Sequence, residues 1–333
     1  MAILLASAGI IATTNQASAI SFVNNWNASV IGAANSAQIK AGILQAEAAF
    51  TTNFNNPATI YINIGWGESN GSTVTGNQAG TSSASLIGYL TLPKLVTLLS
   101  TFETIPPNQT GPNLIAFTRA DAKALGLIST TSNVLDGAIG FSTTLNWDFN
   151  QTDGITSGAY DFVGVAEHEI TEILGRATGI GVNGMGNYQM PLDLFRYSAP
   201  GVHSYTYSGT TAYFSLDDGK TSLGAFDTTL DGGDRADWLT GSVVGTPRDV
   251  QNAYLNGGAT GLSPSDLSLL RSIGWAATPT GYSNGAGVTI GTLVAAAAVP
   301  EPATLAILMT GFAGIALTRR RRTGHSHAIT APQ

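Results

Sequence analysis

Cysteine is absent, so no disulfide, thiolate nucleophile or cysteine-ligated metal can form, and thiols say nothing about redox compartment. Charge is scarce, at 11% of 333 residues, and histidine scarcer still, with four in all. Two of these, His325 and His327, lie at the far carboxyl end, which leaves His168 and His203 in the body. A three-histidine metal site is thereby excluded within one chain. Basic residues are also missing ahead of the apolar stretch that opens the sequence. What is plentiful is apolar surface, 43% of residues, enough for a sizeable core and against general disorder. Forty glycines, with abundant Ser, Thr and Asn, suit a loop-rich exported protein.

The two ends differ from the body. Ala2 to Ala12 is apolar and Ala17-Ser18-Ala19 is a small-residue cleavage pattern, so residues 1–19 read as a signal peptide; a buried first helix is the alternative. At the other end Val299-Pro300-Glu301-Pro302 precedes an apolar run, Ala303 to Thr318, and then Arg319 to Arg322. Those 16 apolar residues would span about 24 Å as a helix, and the arginines favour a cytoplasmic carboxyl end. The three parts in this order resemble the PEP-CTERM sorting tail of Gram-negative exported proteins. The resemblance implies processing by an exosortase-type sorting enzyme, transient inner-membrane insertion of 303–318, and a body at the cell surface or in the extracellular matrix; a permanent single-span anchor is the alternative. Residues 20–278 are expected to form one domain, 279–298 a flexible linker, 299–322 the sorting tail and 323–333 a disordered end. Setting aside Glu301 and the four tail arginines leaves 20 acidic against 10 basic residues, which argues against nucleic acid as a partner.

Within the body, periodicity predicts a helix over Ser36 to Phe50, a half-buried strand over Ala58 to Gly65, and helices over Thr91 to Glu103 and Ala120 to Leu125. Glu68 to Ser85 is polar and Gly-rich, and reads as a long surface loop. Ala138 to Thr143 and Leu145 to Asn150 read as strands. Tyr205 to Ser215 suggests a hairpin turning at Ser208-Gly209. The body closes on a helix with Ser263 as N-cap, Pro264 first, Asp266 completing a capping box and Gly274 as terminator, followed by Trp275 as a packing anchor.

The stretch with the most chemistry is Gly158 to Arg176, an amphipathic helix stopped at Gly175. Phe162, Val163, Ala166, Ile170, Ile173 and Leu174 share one face. His168 and Glu172 stand one turn apart on the other, with Glu169 beside them. A zinc-peptidase helix carries H-E-x-x-H, two ligands on one face and a glutamate base. Here the motif reads His168-Glu169-Ile170-Thr171-Glu172, and a carboxylate is an accepted zinc ligand. The bland alternative is a solvated acidic face. Catalytic zinc needs three protein ligands, and Asp193 competes with His203 for the third place. Asp193 stands 21 residues past Glu172 and near Met190; its alternative role is an ion pair with Arg196. Arg176 either offsets the charge of the centre or is a plain helix-end cation. The aspartates from Asp217 to Asp237 are either Asp-Gly turns or a Ca2+ site.

The helix, a methionine-bearing loop and a closing Gly-Trp helix are similar to the metzincin branch of zinc peptidases. Gly175 occupies that branch's glycine position, while Thr178 stands where its third histidine would be. With its Asp193-Leu194-Phe195-Arg196-Tyr197 segment and PEP-CTERM tail, the chain resembles an exported bacterial metallopeptidase group. The resemblance implies an α+β, zincin-like domain with an upper mixed sheet-and-helix half, an active-site helix and a loop-rich lower half. It further implies a Zn2+-dependent endopeptidase acting on protein or peptide substrates through a metal-activated water, with Glu169 as proton acceptor. Two other classes stay open: a catalytically degenerate zincin-fold matrix or surface protein, and a carbohydrate-binding or adhesive protein.

Overall fold

The computed structural model describes residues 19–276 apart from 75–77, 101–104, 107–113, 181–187, 206–210, 229–233, 244, 247 and 255–259. The fold is α+β. The signal peptide, the linker, the sorting tail and the end beyond it lie outside the described residues, as does the Ser208-Gly209 turn.

The upper part is organised by a four-stranded sheet. Its order is Ser21–Trp26, Thr59–Trp66, Gly137–Phe141, Gly80–Ala84; the first three run parallel and the last antiparallel at the edge. Strand Thr59–Trp66 buries Ile60, Ile62 and Ile64, the period-2 face its sequence announces, while Gly137–Phe141 is buried throughout, as a central parallel strand should be. Helix Ser36–Asn53 carries Ile39, Ile43 and Phe50 into the core and meets the motif helix, Phe162–Ile173. Gly42 permits this approach, since a Cβ there would strike the Phe162 ring at 2.6 Å. A three-stranded sheet follows, ordered Tyr188–Gln189, Leu114–Thr118, Leu86–Thr91. Helix Leu92–Leu99 leaves its last strand through Pro93, and Arg119–Ala124 ends before Gly126, which takes φ +67°.

One expectation needs correction here. The polar stretch Glu68 to Ser85 is not all loop: it holds a tight pairing of Glu68–Ser69 with Ser72–Thr73 and then the edge strand Gly80–Ala84. That strand spells GTSSA, without the apolar alternation that marks a strand, because it pairs on one side only and packs small residues against the motif helix. Of the hairpin expected over Tyr205 to Ser215, the strand Tyr213–Phe214 lies among the described residues and pairs with Arg196–Ala199 on one side and Gly224–Ala225 on the other, so the lower sheet runs Val202–His203, Arg196–Ala199, Tyr213–Phe214, Gly224–Ala225.

The closing helix, Pro264–Ser272, has the expected capping box at Ser263 and Asp266. Trp275 behind it is wholly buried and donates from Nε1 to the Leu174 carbonyl, 2.8 Å away, at the end of the motif helix. One apolar cluster runs continuously from Ile20 to Trp275 and takes in residues of both halves.

Candidate metal centre

The motif helix begins at Phe162, four residues later than expected. Gly158 has φ +79°, and Asp161, in extended backbone, caps the helix by accepting from the Gly164 amide. It ends at Ile173, with Gly175 in the left-handed region at φ +108°. The six apolar residues named for its inner face are all buried. The outer face is not a solvated acidic surface. Glu167 and Glu169 are 6% and 5% exposed, and burial pushes the Glu167 carboxyl up to about 8.

His168 Nδ1 lies 2.7 Å from the carbonyl oxygen of Val250. A carbonyl only accepts, so the neutral ring carries its proton on Nδ1 and presents the Nε2 lone pair on the other side. Facing that lone pair are Glu172 Oε1 at 3.8 Å and Asp237 Oδ1 at 3.5 Å. The three donor atoms all lie within 4.8 Å of one another. Ligands at 2.0–2.2 Å around a tetrahedral zinc stand about 3.4 Å apart, close to both His168 separations. Glu172 is held from behind: its Oε2 accepts a short hydrogen bond from Ser82 Oγ, on the edge strand. Asp237 Oδ1 is buried and accepts no hydrogen bond among the described residues. Three lone pairs aimed at one point, one of them orphaned, fit a divalent cation.

The electrostatics agree with a site built for positive charge. Burial first, then the Asp234 charge, lifts the Glu172 carboxyl to about 7. Burial and then Asp234 likewise raise Asp237 well above the usual carboxylate range, against the pull of Arg176. Glu169 is raised well above the usual carboxylate range by burial first and then by the charges of Glu172, Asp237 and Asp234. Glu169 also fits tightly beneath the edge strand. A Cβ at Gly80 would strike its carboxyl carbon at 2.9 Å, so glycine alone lets the glutamate approach.

Neither expected third ligand belongs to this group. Asp193 is fully buried elsewhere, its carboxylate accepting from Thr178 Oγ1 at 2.5 Å and from the amides of Gly179 and Met190, each at 2.9 Å. Thr178, at the position of a third metzincin histidine, thus serves Asp193. His203 packs between Tyr197 and Tyr205, with ring centroids at 4.3 and 5.4 Å. The third residue of the group is Asp237, in the Asp217-to-Asp237 stretch that reads in the sequence either as Asp-Gly turns or as a calcium site. Asp217 itself makes an ordinary turn, accepting from Ser215 Oγ, the Thr221 amide and Thr221 Oγ1, which hold it down at about 2. Among the described residues, His168, Glu172 and Asp237 are the one group able to hold a metal ion.

Segment Asp249–Asn252 fixes the geometry from the lower half. It supplies the Val250 carbonyl to His168, and its Gln251 carbonyl accepts from the Trp238 amide at 2.8 Å. The Asp237 carbonyl accepts from the Asp227 amide, also at 2.8 Å. The same short stretch therefore orients the imidazole and clamps the backbone beside the third carboxylate.

No curated protein sequence and no solved structure matches the chain. Among the described residues no helix is long and apolar enough to cross a membrane. The PEP-CTERM protein-sorting motif matches residues 298–322, a tail recognised by exosortase-type sorting enzymes, and its presence marks this chain as an exported bacterial protein sorted to the cell surface.

Proposed function

We propose that the protein is an exported metal-dependent peptidase with a zincin-like domain, its cation held by His168, Glu172 and Asp237. The observation that carries this reading is the convergence of His168 Nε2, freed by the Nδ1 contact with Val250, on two carboxylate oxygens at 3.5 and 3.8 Å. When bound, a divalent cation such as zinc supplies a Lewis acid that polarises a carbonyl and acidifies water. Glu169 is the proton acceptor: it adjoins the donor set, is not one of the three, and is excluded from bulk water. Its raised proton affinity suits a group that takes a proton and returns it to a leaving amine.

The edge strand supports a peptide substrate. Gly80–Ala84 pairs on one side with Gly137–Phe141 and closes the sheet next to the motif helix. An extended peptide added along its outer edge would lie beside Glu169 and Glu172, held by main-chain hydrogen bonds.

One feature favours a second reading, a surface or matrix protein that binds metal without efficient hydrolysis. Two carboxylate donors leave the cation a poorer Lewis acid than two imidazoles would. The test is metal analysis of the purified protein together with peptide hydrolysis by wild type and Glu169→Gln. Near-stoichiometric metal in both, with turnover lower in the variant by about 10²–10⁴-fold, supports the peptidase. Metal without turnover in wild type selects the second reading, and absence of metal rejects both.

A further inference from the structure

Among the buried charged groups to which the metal-centre reading gives no task, Arg176 lies against the centre itself. Arg176 follows the motif helix and is tied to it by its amide, which donates to the Thr171 carbonyl at 3.0 Å. Its side chain is completely buried, yet Nε, Nη1 and Nη2 make no hydrogen bond among the described residues. Burying a guanidinium unbonded is strongly unfavourable unless its surroundings are arranged around it. They are. Nη1 lies 3.6 Å from Asp237 Oδ1, the same oxygen that faces His168 Nε2. Nε lies 3.9 Å from Asp266 Oδ1, and Cζ sits 4.6 Å from the ring centroid of Trp238.

Each neighbour is itself anchored. Trp238 Nε1 donates to Asp266 Oδ1 at 2.7 Å, and Asp266 Oδ2 is held by the Ser263 amide and hydroxyl. The Trp238 ring stacks on Phe226 at 4.9 Å, and Arg196 lies 4.2 Å over Phe226. A continuous run of face contacts, Arg176 to Trp238 to Phe226 to Arg196, thus links the motif helix with the Asp193-to-Tyr197 segment. Asp237 immediately precedes Trp238 in the chain.

We propose that Arg176 is a positioning residue of the metal centre: packed over the Trp238 ring, it holds Asp237 Oδ1 opposite His168 Nε2, joining the helix that bears two donors to the segment that bears the third. The inference rests on the metal-centre reading above. Shape matters here more than charge. A guanidinium beside the site repels a cation, so charge alone would weaken binding; a planar group packed on an indole fixes the carboxylate beside it. Lysine keeps the charge and loses the plane.

The experiment titrates the metal-free full chain with Zn2+ against a chromophoric chelator, and with Co2+ followed by its visible absorption. Wild type is compared with Arg176→Lys and Arg176→Met, each also in an Asp237→Asn background, with folding checked by circular dichroism. Both single variants should bind Zn2+ about 10–100-fold more weakly, the usual loss when a metal ligand's orienting partner is removed, and should change the Co2+ spectrum. With Asn at 237 the same substitutions should cost no more than about twofold further, because the carboxylate they act through is gone. Arg176→Lys binding as tightly as wild type, or Arg176→Met binding more tightly, overturns the proposal and leaves the metal-centre reading standing. Wild type that binds no metal sinks both. Should Arg176→Met fail to fold, Arg176→Lys decides alone.

Discussion

The two halves of the domain solve the same problem with different materials. Up to the motif helix the interior is built from apolar residues on long regular elements: Ile60, Ile62 and Ile64 on one strand, Ile39, Ile43 and Phe50 on one helix. Beyond it, and before the closing helix Pro264–Ser272, elements shrink to strands of two to four residues and a 3-10 turn, Pro191–Phe195. The lower interior holds more charge, with Asp193, Arg196, Asp227, Arg235, Asp237, Asp249 and Asp266 all buried, against Glu47, Asp121 and the Lys123–Asp136 ion pair above. Buried charge is tolerated only where partners are fixed in place. The difference teaches how the candidate centre is assembled: the upper half supplies a rigid helix for His168 and Glu172, and the lower half supplies Asp237 and the carbonyl that orients the imidazole.

The sharpest way to break this comparison is to remove two buried aspartates of the lower half in turn. Asp237→Ala should abolish stoichiometric metal binding, measured by elemental analysis of the purified protein. Asp193→Ala should instead leave the Thr178, Gly179 and Met190 donors unpaired, destabilise by about 3–5 kcal/mol in urea unfolding, and leave the metal affinity of folded protein intact. Loss of metal in both would mean that Asp193 belongs to the centre after all.

In the upper half, Ile173→Ala should destabilise by about 2–5 kcal/mol without changing metal content. Its Cδ1 fits against Gly137 on the central strand, so truncation opens a cavity at the sheet–helix contact. A metal loss as large as the stability loss would show that the helix does not hold its donors independently of that packing.

One titrating group sharpens the comparison from the apolar side. Burial lifts Glu47 from 4.5 to about 7, partly offset by the hydrogen bond from Asn24 Nδ2. Between those values the folded protein binds the proton and the unfolded chain does not, so stability falls as pH rises from about 4.5 to 7. Glu47→Gln keeps the acceptor and removes the ionisation. It should gain roughly 2–3 kcal/mol over wild type at pH 8 and little at pH 4, read from denaturant midpoints. Equal gains at both pH values would contradict the assignment. The smallest effect expected is at the closing helix. Ser263→Ala removes the N-cap oxygen that accepts from Asp266 and should cost about 1 kcal/mol.

Much of this was legible in the residues. The helices at Ser36, Phe162 and Pro264 and the strand at Thr59 announce themselves because local periodicity and caps reflect a single buried face. The edge strand Gly80–Ala84 was hidden, since a Gly-Ser-Thr strand paired on one side has no apolar face to display. The third donor was hidden for another reason. Asp193 lay close in sequence to a helix and a methionine, yet three donors bound it locally; Asp237, 65 positions past Glu172, stood in a stretch rich in turns. A hint was present, because with two histidines in the body any three-donor metal group must draw on carboxylates, and Asp234 and Asp237 lie in a stretch dense in them.

The sequence alone determined the pairing of His168 with Glu172, since an i, i+4 spacing is fixed by the pitch of the helix. It determined the capped closing helix and the export tail as well, both written in contiguous residues. Tertiary structure decided which way the imidazole faces, through the Val250 carbonyl 82 positions away, and which aspartate completes the group. It also decided what becomes of Arg176, a helix-end cation by position and a buried cation over the Trp238 ring in the fold. The physical reason is range. Helix pitch, caps and linear signals act over a few residues, while burial and the meeting of lone pairs depend on segments that only the folded chain brings together.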